Sequence, residues 1–168
     1  KPRYIFDLID SEKITFWGTS AKYIEVIEKL KLEPKKMHSL KSLKTIASTG
    51  SPLSDESFNY IYNLVKDDVH LTSISGGTDI IGCFVQGNPN LPVWPGEIQV
   101  KGLGMDVDIF NESGDSVKEE KGEMVCKNNF PSKPVKFWND KNNKVYHSTY
   151  YSKYKNVWHH GDFAEETG

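Results

Sequence analysis

The sequence predicts an α/β fold, in which a parallel βαβ part is followed by a small antiparallel β-sheet or barrel. In the first half, apolar residues recur with the helical period of 3.6, between short apolar segments typical of buried strands. In the second half the period changes to two, which is typical of strands with one buried face. We therefore expect two subdomains, residues 1–86 and residues 87–168.

The first part contains three predicted strands that alternate with two amphipathic helices, after a short helix at residues 4–9. The strands are residues 14–17, 45–49 and 69–74. Each amphipathic helix has one apolar stripe, formed by Tyr23, Val26, Ile27 and Leu30 in the first and by Phe58, Ile61, Tyr62 and Val65 in the second. The segment Gly18-Thr19-Ser20 offers a turn and a capping hydroxyl before the first helix, Ser54 is expected to cap the second, and Pro34 is expected to end the first. Such alternation with short connections predicts a parallel sheet.

The second part contains short strands separated by turn-forming residues. The predicted strands are residues 83–85, 97–101, 105–109, 122–126 and 157–163. Residues 111–115 form a hairpin turn signal, and further turns are expected at residues 139–140 and 142–143. This spacing favours a small antiparallel sheet or barrel.

Composition excludes several classes of function. The chain has 168 residues, of which 37% are hydrophobic and 26% charged, and a formal charge of −2 argues against non-specific nucleic-acid binding. No apolar run is long enough to span a bilayer, and no secretory leader is visible. The two cysteines, Cys83 and Cys126, fit no metal-binding spacing and favour a reduced, cytoplasmic location.

One segment, Ser73–Asp79, places two glycines, a hydroxyl and a carboxylate at the end of a predicted strand. Glycine has no Cβ, so a ligand can approach the backbone closely at Gly76 and Gly77. The Thr78 hydroxyl is able to donate to a phosphate oxygen, and the Asp79 carboxylate is able to hold a hard cation such as Mg²⁺. The same residues also fit a plain loop.

Two further polar turns follow predicted strands, Gly50-Ser51-Pro52 and Gly161-Asp162. Ligands of parallel sheets bind beyond the carboxyl ends of the strands, so we expect the first turn and Ser73–Asp79 to face one crevice. Asp162 is suited to accept hydrogen bonds from both hydroxyls of a ribose, each worth about 1.5–3 kcal/mol. Both turns also have a purely structural interpretation, as a capped strand-to-helix turn and as a turn carboxylate.

Other catalytic patterns find little support. His159 and His160 are adjacent, so on a strand they point to opposite faces, and no third metal ligand is suitably spaced. No Gly-x-Ser-x-Gly segment for a hydrolase nucleophile is present. A group of aromatic residues favours packing over base stacking, because the chain is not basic: Phe137, Trp138, Tyr146, Tyr150, Tyr151 and Tyr154.

Together these segments resemble the adenylate-forming acyl-CoA synthetases. The resemblance rests on the order of three motifs. They are Gly-x-Pro, a small and polar run ending in Thr-Asp, and an aromatic-x-x-Gly-Asp. Longer strings resemble the acetoacetate-activating branch of that family: residues 16–23, 48–53, 73–80, 101–105, 137–140 and 158–162. The resemblance covers nearly the whole chain. It implies a fragment of the large N-terminal domain, with the phosphate loop and the C-terminal catalytic domain outside the chain.

The resemblance implies a nucleotide site. Gly50-Ser51-Pro52 matches the segment that lies against adenine, and Ser51 stands where many relatives have Glu. Thr78 matches the hydroxyl that holds the α-phosphate, and Asp79 matches the Mg²⁺-binding acid, which is usually Glu. These two are the implied catalytic residues. Asp162 matches the ribose-binding carboxylate.

The resemblance also implies an acyl pocket beside the nucleotide. Gly77 counts among the implied nucleotide-binding residues, whereas Ser75 and Gly76 are assigned to the acyl pocket. Acetate-specific relatives carry a bulky Trp where Gly76 stands, so its absence here leaves room for a longer acid. His160 replaces the usual Thr before Gly-Asp, and no role is implied for it.

The implied activity is that of an acid–thiol ligase that converts acetoacetate, ATP and CoA to acetoacetyl-CoA, AMP and pyrophosphate through an acyl-adenylate. It implies Mg²⁺, small-molecule substrates, no nucleic-acid or membrane partner, and a cytoplasmic place in lipid metabolism and ketone body utilisation. The fragment alone is expected to be inactive. Two alternatives stay open, namely a ligase for another short-chain acid and a non-catalytic nucleotide-binding module of the same fold.

Overall fold

The computed structural model describes residues 2–168, which divide into two compact units. The first unit comprises the residues up to Ser75 together with Val85–Val100, and the second comprises Gly76–Phe84 and Lys101–Gly168. The predicted division into residues 1–86 and 87–168 stays a prediction.

A parallel sheet forms the centre of the first unit. Its strands are β1 (Phe16–Ser20), β2 (Thr45–Thr49) and β3 (His70–Ser73), in that order. The helices are α1 (Tyr4–Ser11), α2 (Ala21–Lys29), α3 (Pro34–Met37) and α4 (Asp55–Tyr60), which a π-helical turn (Ile61–Val65) continues. Both strand pairs are parallel, so the predicted alternation of strands and helices in a parallel sheet is confirmed.

Side-chain caps begin two of these helices. The Ser20 hydroxyl accepts a hydrogen bond from the backbone N–H of Tyr23 at 3.1 Å, and the Ser54 hydroxyl accepts one from Ser57 at 3.2 Å. These bonds satisfy N–H groups that have no partner inside the helix. Ser54 is the predicted cap, and Ser20 belongs to the segment 18–20 that was predicted to supply the other.

The predicted apolar stripe of α2 is partly wrong. Ala21, Ile24 and Ile27 are buried, whereas Val26 is 37% exposed and Leu30 is 54% exposed. Apolar residues cover too wide an arc of this helix for their period alone to select the face that packs on the sheet.

Two short sheets follow the parallel one. Strands β4 (Ser75–Gly77), β5 (Gly82–Gln86) and β6 (Val100–Lys101) form a sheet in that order. In the second unit, β7 (Val107–Phe110), β8 (Gly122–Cys126) and β9 (Trp158–Ala164) form an antiparallel sheet with β8 at its centre. The predicted antiparallel second part is therefore confirmed.

Three predicted element boundaries need correction. Pro34 does not end α2 but opens α3, where its missing N–H would have no helical partner in any case. Only Val100–Lys101 of the predicted strand 97–101 is extended. Turns at residues 139–143 lead through a 3₁₀ turn into an unpredicted helix, α5 (Lys144–Tyr150). Asp140 lies before α5 and stabilises its first turn, because its carboxylate accepts hydrogen bonds from the N–H groups of residues 145 and 146.

The two units bury different kinds of side chain. The first buries mainly aliphatic groups from its strands and helices, whereas the second packs aromatic rings around Trp158, which is 1% exposed. Tyr150 stacks on Trp158 with ring centroids 3.7 Å apart, and Phe130 meets it edge-on at 5.7 Å. Trp138, by contrast, is 91% exposed, so the packing interpretation does not extend to it. Within residues 2–168, no helix has the length and apolar character needed to cross a bilayer.

Candidate functional site

The turn Gly50-Ser51-Pro52 leaves β2 and leads to the cap of α4 in the first unit. Gly50 has a φ of +87°, a conformation that side chains rarely adopt. All three residues are exposed, and a Cβ on Gly50 would meet no atom within 4 Å. The turn is therefore accessible to a ligand, and its adenine contact stays a prediction.

A cavity of about 510 Å³ borders this turn within the first unit. Its walls include Ser51, Pro52 and charged side chains of α2. Hydrogen bonds from Lys29 and then from Lys22 lower the pKa of the Glu25 carboxyl to about 2. Because these charges compensate one another, this part of the wall gives no clear preference for an anion.

The segment Gly76–Asp79 belongs to the second unit, and its first two residues lie in a strand, not in the predicted turn. A Cβ on Gly76 would lie 2.1 Å from the carbonyl oxygen of Gly82 and 2.6 Å from the Cα of Cys83. The neighbouring backbone therefore requires glycine here, whether or not a substrate binds. The acyl-pocket role of Ser75 and Gly76 stays a prediction.

His160, to which the sequence assigned no role, contacts this segment from β9. Its Nε2 lies 3.0 Å from the carbonyl oxygen of Gly76, and a Cβ on Gly77 would lie 3.0 Å from its Cε1. The adjacent His159 has a different partner, since its Nδ1 lies 3.3 Å from a carboxylate oxygen of Glu123. The two histidines thus serve separate contacts, as adjacent strand residues on opposite faces do.

Thr78 and Asp79 lie in an exposed turn after β4. The turn is closed by a hydrogen bond of 3.2 Å from the N–H of Ile81 to the carbonyl oxygen of Thr78. The Asp79 carboxylate accepts a hydrogen bond from the Tyr150 hydroxyl on α5. A hydroxyl and a carboxylate are therefore presented side by side to solvent, as a phosphate and cation site needs.

Tyr150 holds the Asp79 carboxylate from an ordered position. Its ring is nearly parallel to that of Trp158, with an interplanar angle of 15°. Burial, and then the hydrogen bond to Asp79, raise the pKa of the Tyr150 hydroxyl above its ordinary value. The hydroxyl therefore stays protonated near neutral pH and acts as a donor.

Asp162 lies on β9, directly after Gly161, which has a φ of +89°. Its side chain is 56% exposed, and its Oδ2 lies 3.9 Å from Nε2 of His160. Since His160 also contacts Gly76, the second unit brings the predicted ribose carboxylate close to the predicted phosphate segment.

Metal binding in the second unit would rest on Asp79. Within residues 2–168, no group of three His, Cys, Asp or Glu side chains is arranged to hold a metal ion. In nucleotide sites Mg²⁺ usually takes one or two protein carboxylates, together with substrate phosphates and water. Asp79 fits this use, because a carboxylate has about four acceptor positions and the Tyr150 hydroxyl occupies one of them.

Sequence reasoning missed Tyr150 and His160 as members of the site. Tyr150 lies 71 residues from Asp79, and His160 lies 84 residues from Gly76. No local pattern connects residues so far apart. The histidine before Gly161-Asp162 was the one available signal, because it departs from the family's usual Thr.

Known proteins match this chain along most of its length. It is 53% identical over 163 residues to the acetoacetyl-coenzyme A synthetase of Rhizobium meliloti (strain 1021). The aligned region covers 97% of this chain and 25% of that protein. It is 48% identical over 164 residues to the acetoacetyl-CoA synthetase of Gallus gallus, with 98% and 25% covered. The chain is homologous to one segment of the acetoacetyl-CoA synthetases. It thus spans about a quarter of the length of these relatives.

Solved structures support the same fold for this chain. Acetoacetyl-CoA synthetase from Streptomyces lividans matches with a TM-score of 0.90 and 36% identity, over 99% of this chain and 26% of that chain. An anthranilate CoA ligase in complex with anthranoyl-AMP matches with a TM-score of 0.79 over 98% of this chain and 30% of its own, but at 17% identity it shows the fold alone. A comparison with profiles of known families finds no match. The predicted resemblance and the adenylate-forming fold are confirmed.

Proposed function

We propose that this chain supplies part of the nucleotide and acyl site of an ATP-dependent acyl-CoA ligase that acts on acetoacetate. The observation that carries the proposal is the 53% identity to an acetoacetyl-CoA synthetase over 97% of the chain. The enzyme would convert acetoacetate, ATP and CoA to acetoacetyl-CoA, AMP and pyrophosphate. The experiments use the complete enzyme, a polypeptide of its relatives' length that carries this segment.

The proposed reaction has two steps, and each has a defined leaving group. A carboxylate oxygen of acetoacetate attacks the α-phosphorus of ATP, and pyrophosphate leaves with the electrons of the broken P–O bond. The sulfur of CoA, having lost its proton, then attacks the acyl carbon, and AMP leaves. Neither step needs a redox partner. The segment contributes mainly the positioning of the substrates and the stabilisation of charge.

Each site residue has a task in the first step. The Thr78 hydroxyl donates to an oxygen of the α-phosphate, where negative charge develops as the new bond forms. Asp79, oriented by Tyr150, would hold Mg²⁺, which supplies charge neutralisation at the phosphates when bound. Asp162 accepts the ribose hydroxyls, while Gly50-Ser51-Pro52 lies against adenine.

Two smaller assignments complete the proposal. Gly77 has no side chain to hinder nucleotide at the backbone, and Ser75 with Gly76 lines the end of the acyl pocket.

Cys83 and Cys126 are both free thiols, which suits the reducing cytoplasm that we propose as the enzyme's location. Cell fractionation with an antibody to the complete enzyme checks the location, and recovery with membranes or secreted protein would contradict it.

The central test compares nucleotide binding by the wild-type enzyme and Asp162→Ala. Loss of even one hydrogen bond to a charged acceptor, worth about 1.5–3 kcal/mol, predicts AMP affinity lower by at least about 10- to 100-fold in calorimetry. Asp115→Ala is the matched control, because Asp115 is an exposed turn carboxylate in the same unit. Equal AMP affinities for wild type and Asp162→Ala would remove Asp162 from the ribose site.

A panel of acids tests the proposed substrate. Acid-dependent exchange of pyrophosphate into ATP reports the first step alone, and acetoacetate is expected to give the fastest exchange. Faster exchange with acetate or butyrate would replace acetoacetate with another short-chain acid. Absence of exchange with every acid, in a folded enzyme that binds AMP, would favour the non-catalytic nucleotide-binding module.

A further inference from the structure

Each ring nitrogen of His160 has a polar partner. Its Nε2 lies 3.0 Å from the Gly76 carbonyl oxygen, which only accepts hydrogen bonds. Its Nδ1 lies 3.5 Å from the indole nitrogen of Trp158, which only donates. The tautomer with its proton on Nε2 matches both partners.

The His160 ring is also held sterically. Its side chain is 14% exposed, and the ring meets Phe84 edge-on at 4.9 Å with an interplanar angle of 70°. The Trp158 ring that donates to it is buried. A Cβ on Gly77 would lie only 3.0 Å from Cε1 of the ring, so a residue with a side chain at position 77 would crowd the histidine. The ring therefore has one well-defined orientation.

The position of this ring connects two parts of the proposed nucleotide site. Gly76, whose carbonyl accepts from Nε2, precedes Thr78 by two residues, while Asp162 follows His160 by two residues on β9. The Asp162 carboxylate lies 3.9 Å from the same Nε2. One N–H group thus lies between the strand that leads to the phosphate residues and the carboxylate proposed to bind ribose.

We propose that His160 is a positioning residue that sets the distance between the ribose-binding Asp162 and the phosphate segment Gly76–Asp79. The inference rests on the proposed function, since it assumes a nucleotide whose ribose meets Asp162 while its phosphate meets Thr78. Without the hydrogen bond to Gly76, β9 and β4 lose a direct connection at this point. The ribose hydroxyls then no longer meet Asp162 while the phosphate is bound.

Two amide substitutions separate the two hydrogen bonds of the ring. In His160→Gln the terminal amide reaches about as far as Nε2, so the donor to Gly76 is kept. In His160→Asn the shorter amide lies near the position of Nδ1, so the acceptor for Trp158 is kept and the donor to Gly76 is lost. The two variants carry the same amide group and differ by one methylene.

The readout is the preference of the complete enzyme for ATP over 2′-deoxy-ATP, as the ratio of kcat/KM values, with AMP and 2′-deoxy-AMP affinities beside it. His160→Asn is expected to lower the preference by about fivefold, the usual scale for one hydrogen bond, whereas His160→Gln keeps it within about twofold. A merely structural role would lower activity or melting temperature in both variants without changing the preference.

Two results would overturn the inference, for different reasons. An unchanged ATP preference in a folded His160→Asn enzyme would show that His160 does not position Asp162. If the wild-type enzyme does not prefer ATP over 2′-deoxy-ATP, and Asp162→Ala leaves that ratio unchanged, the proposed ribose site itself is removed. If His160→Asn does not fold, His160→Gln decides, because loss of the ATP preference in that folded variant contradicts the proposed donor role.

Discussion

Two glycine-containing segments of this chain, each with a hydroxyl residue nearby, have opposite surroundings. Gly50, before Ser51 and Pro52, has a φ of +87° and open space around it. Gly76, before Gly77 and Thr78, lies in a strand and has the backbone of Gly82 and Cys83 against its Cα. The first position needs glycine for its backbone conformation, and the second needs it for lack of space.

The two segments are also held in place by different kinds of contact. The first turn is followed by Ser54, whose side chain caps α4 through a local hydrogen bond. The second segment is held by two distant side chains, His160 at Gly76 and Tyr150 at Asp79. The first turn is thus stabilised by a local contact, whereas the second segment is held by side chains that lie far away in sequence.

Gly76→Ala should have the largest effect. The added Cβ would lie 2.1 Å from the Gly82 carbonyl oxygen, and backbone cannot move aside as a flexible side chain can. Overpacking of this kind predicts a loss of about 3 kcal/mol in the free energy of unfolding of the complete enzyme, measured in urea. A loss smaller than that of Gly50→Ala would show that spatial constraint is not the stronger of the two.

Gly50→Ala should have a smaller effect, because only conformation opposes it. A side chain at φ +87° costs about 1–2 kcal/mol, and no atom within 4 Å adds a clash. Gly50→Asn is the control, since Asn tolerates left-handed conformations better than Ala does. The same unfolding measurement is expected to rank Asn above Ala, and the reverse order would contradict a conformational role.

Features that depend on local chemistry were predictable from the sequence. The strand at residues 45–49, the strand at residues 122–126 and the caps Ser20 and Ser54 all lie where the sequence placed them. Each depends on neighbouring residues alone, through β-branched or apolar side chains, turn residues or a hydroxyl before a helix. The candidate residues Thr78, Asp79 and Asp162 were visible because their motif is also local.

Features that depend on distant contacts were not predictable in the same way. The buried face of α2 depends on where the sheet lies, and the start of α5 depends on Asp140, which lies outside the helix. The need for glycine at position 76 depends on the backbone of Gly82 and Cys83, which an added Cβ would meet. Such facts follow only from the folded chain, because the partners lie far apart in sequence or belong to the backbone.

Tyr150→Phe tests whether the distant contact at Asp79 matters for the proposed cation site. The substitution removes the hydroxyl that donates to Asp79 and keeps the ring that stacks on Trp158. We expect the Mg²⁺ concentration for half-maximal pyrophosphate exchange to rise about fivefold, the scale of one hydrogen bond, with little change in melting temperature. Tyr154→Phe is the control, because its hydroxyl donates to the Asn111 carbonyl oxygen instead. Equal Mg²⁺ dependence in both variants would argue against a role for Tyr150 at Asp79.

Ser54→Ala should have the smallest effect, and it tests whether the first turn is held locally. Loss of the hydrogen bond from the N–H of Ser57 leaves one donor at the start of α4 without its cap, which costs about 1 kcal/mol in the free energy of unfolding. Ser54→Asp restores an acceptor at the same place, so it is expected to recover most of that loss in the same urea measurement. If Ser54→Ala also lowers AMP affinity more than about twofold, the cap does more than stabilise the helix. The turn Gly50-Ser51-Pro52 would then depend on it for the position of its adenine contact, and the contrast between the two segments would be weaker than their surroundings suggest.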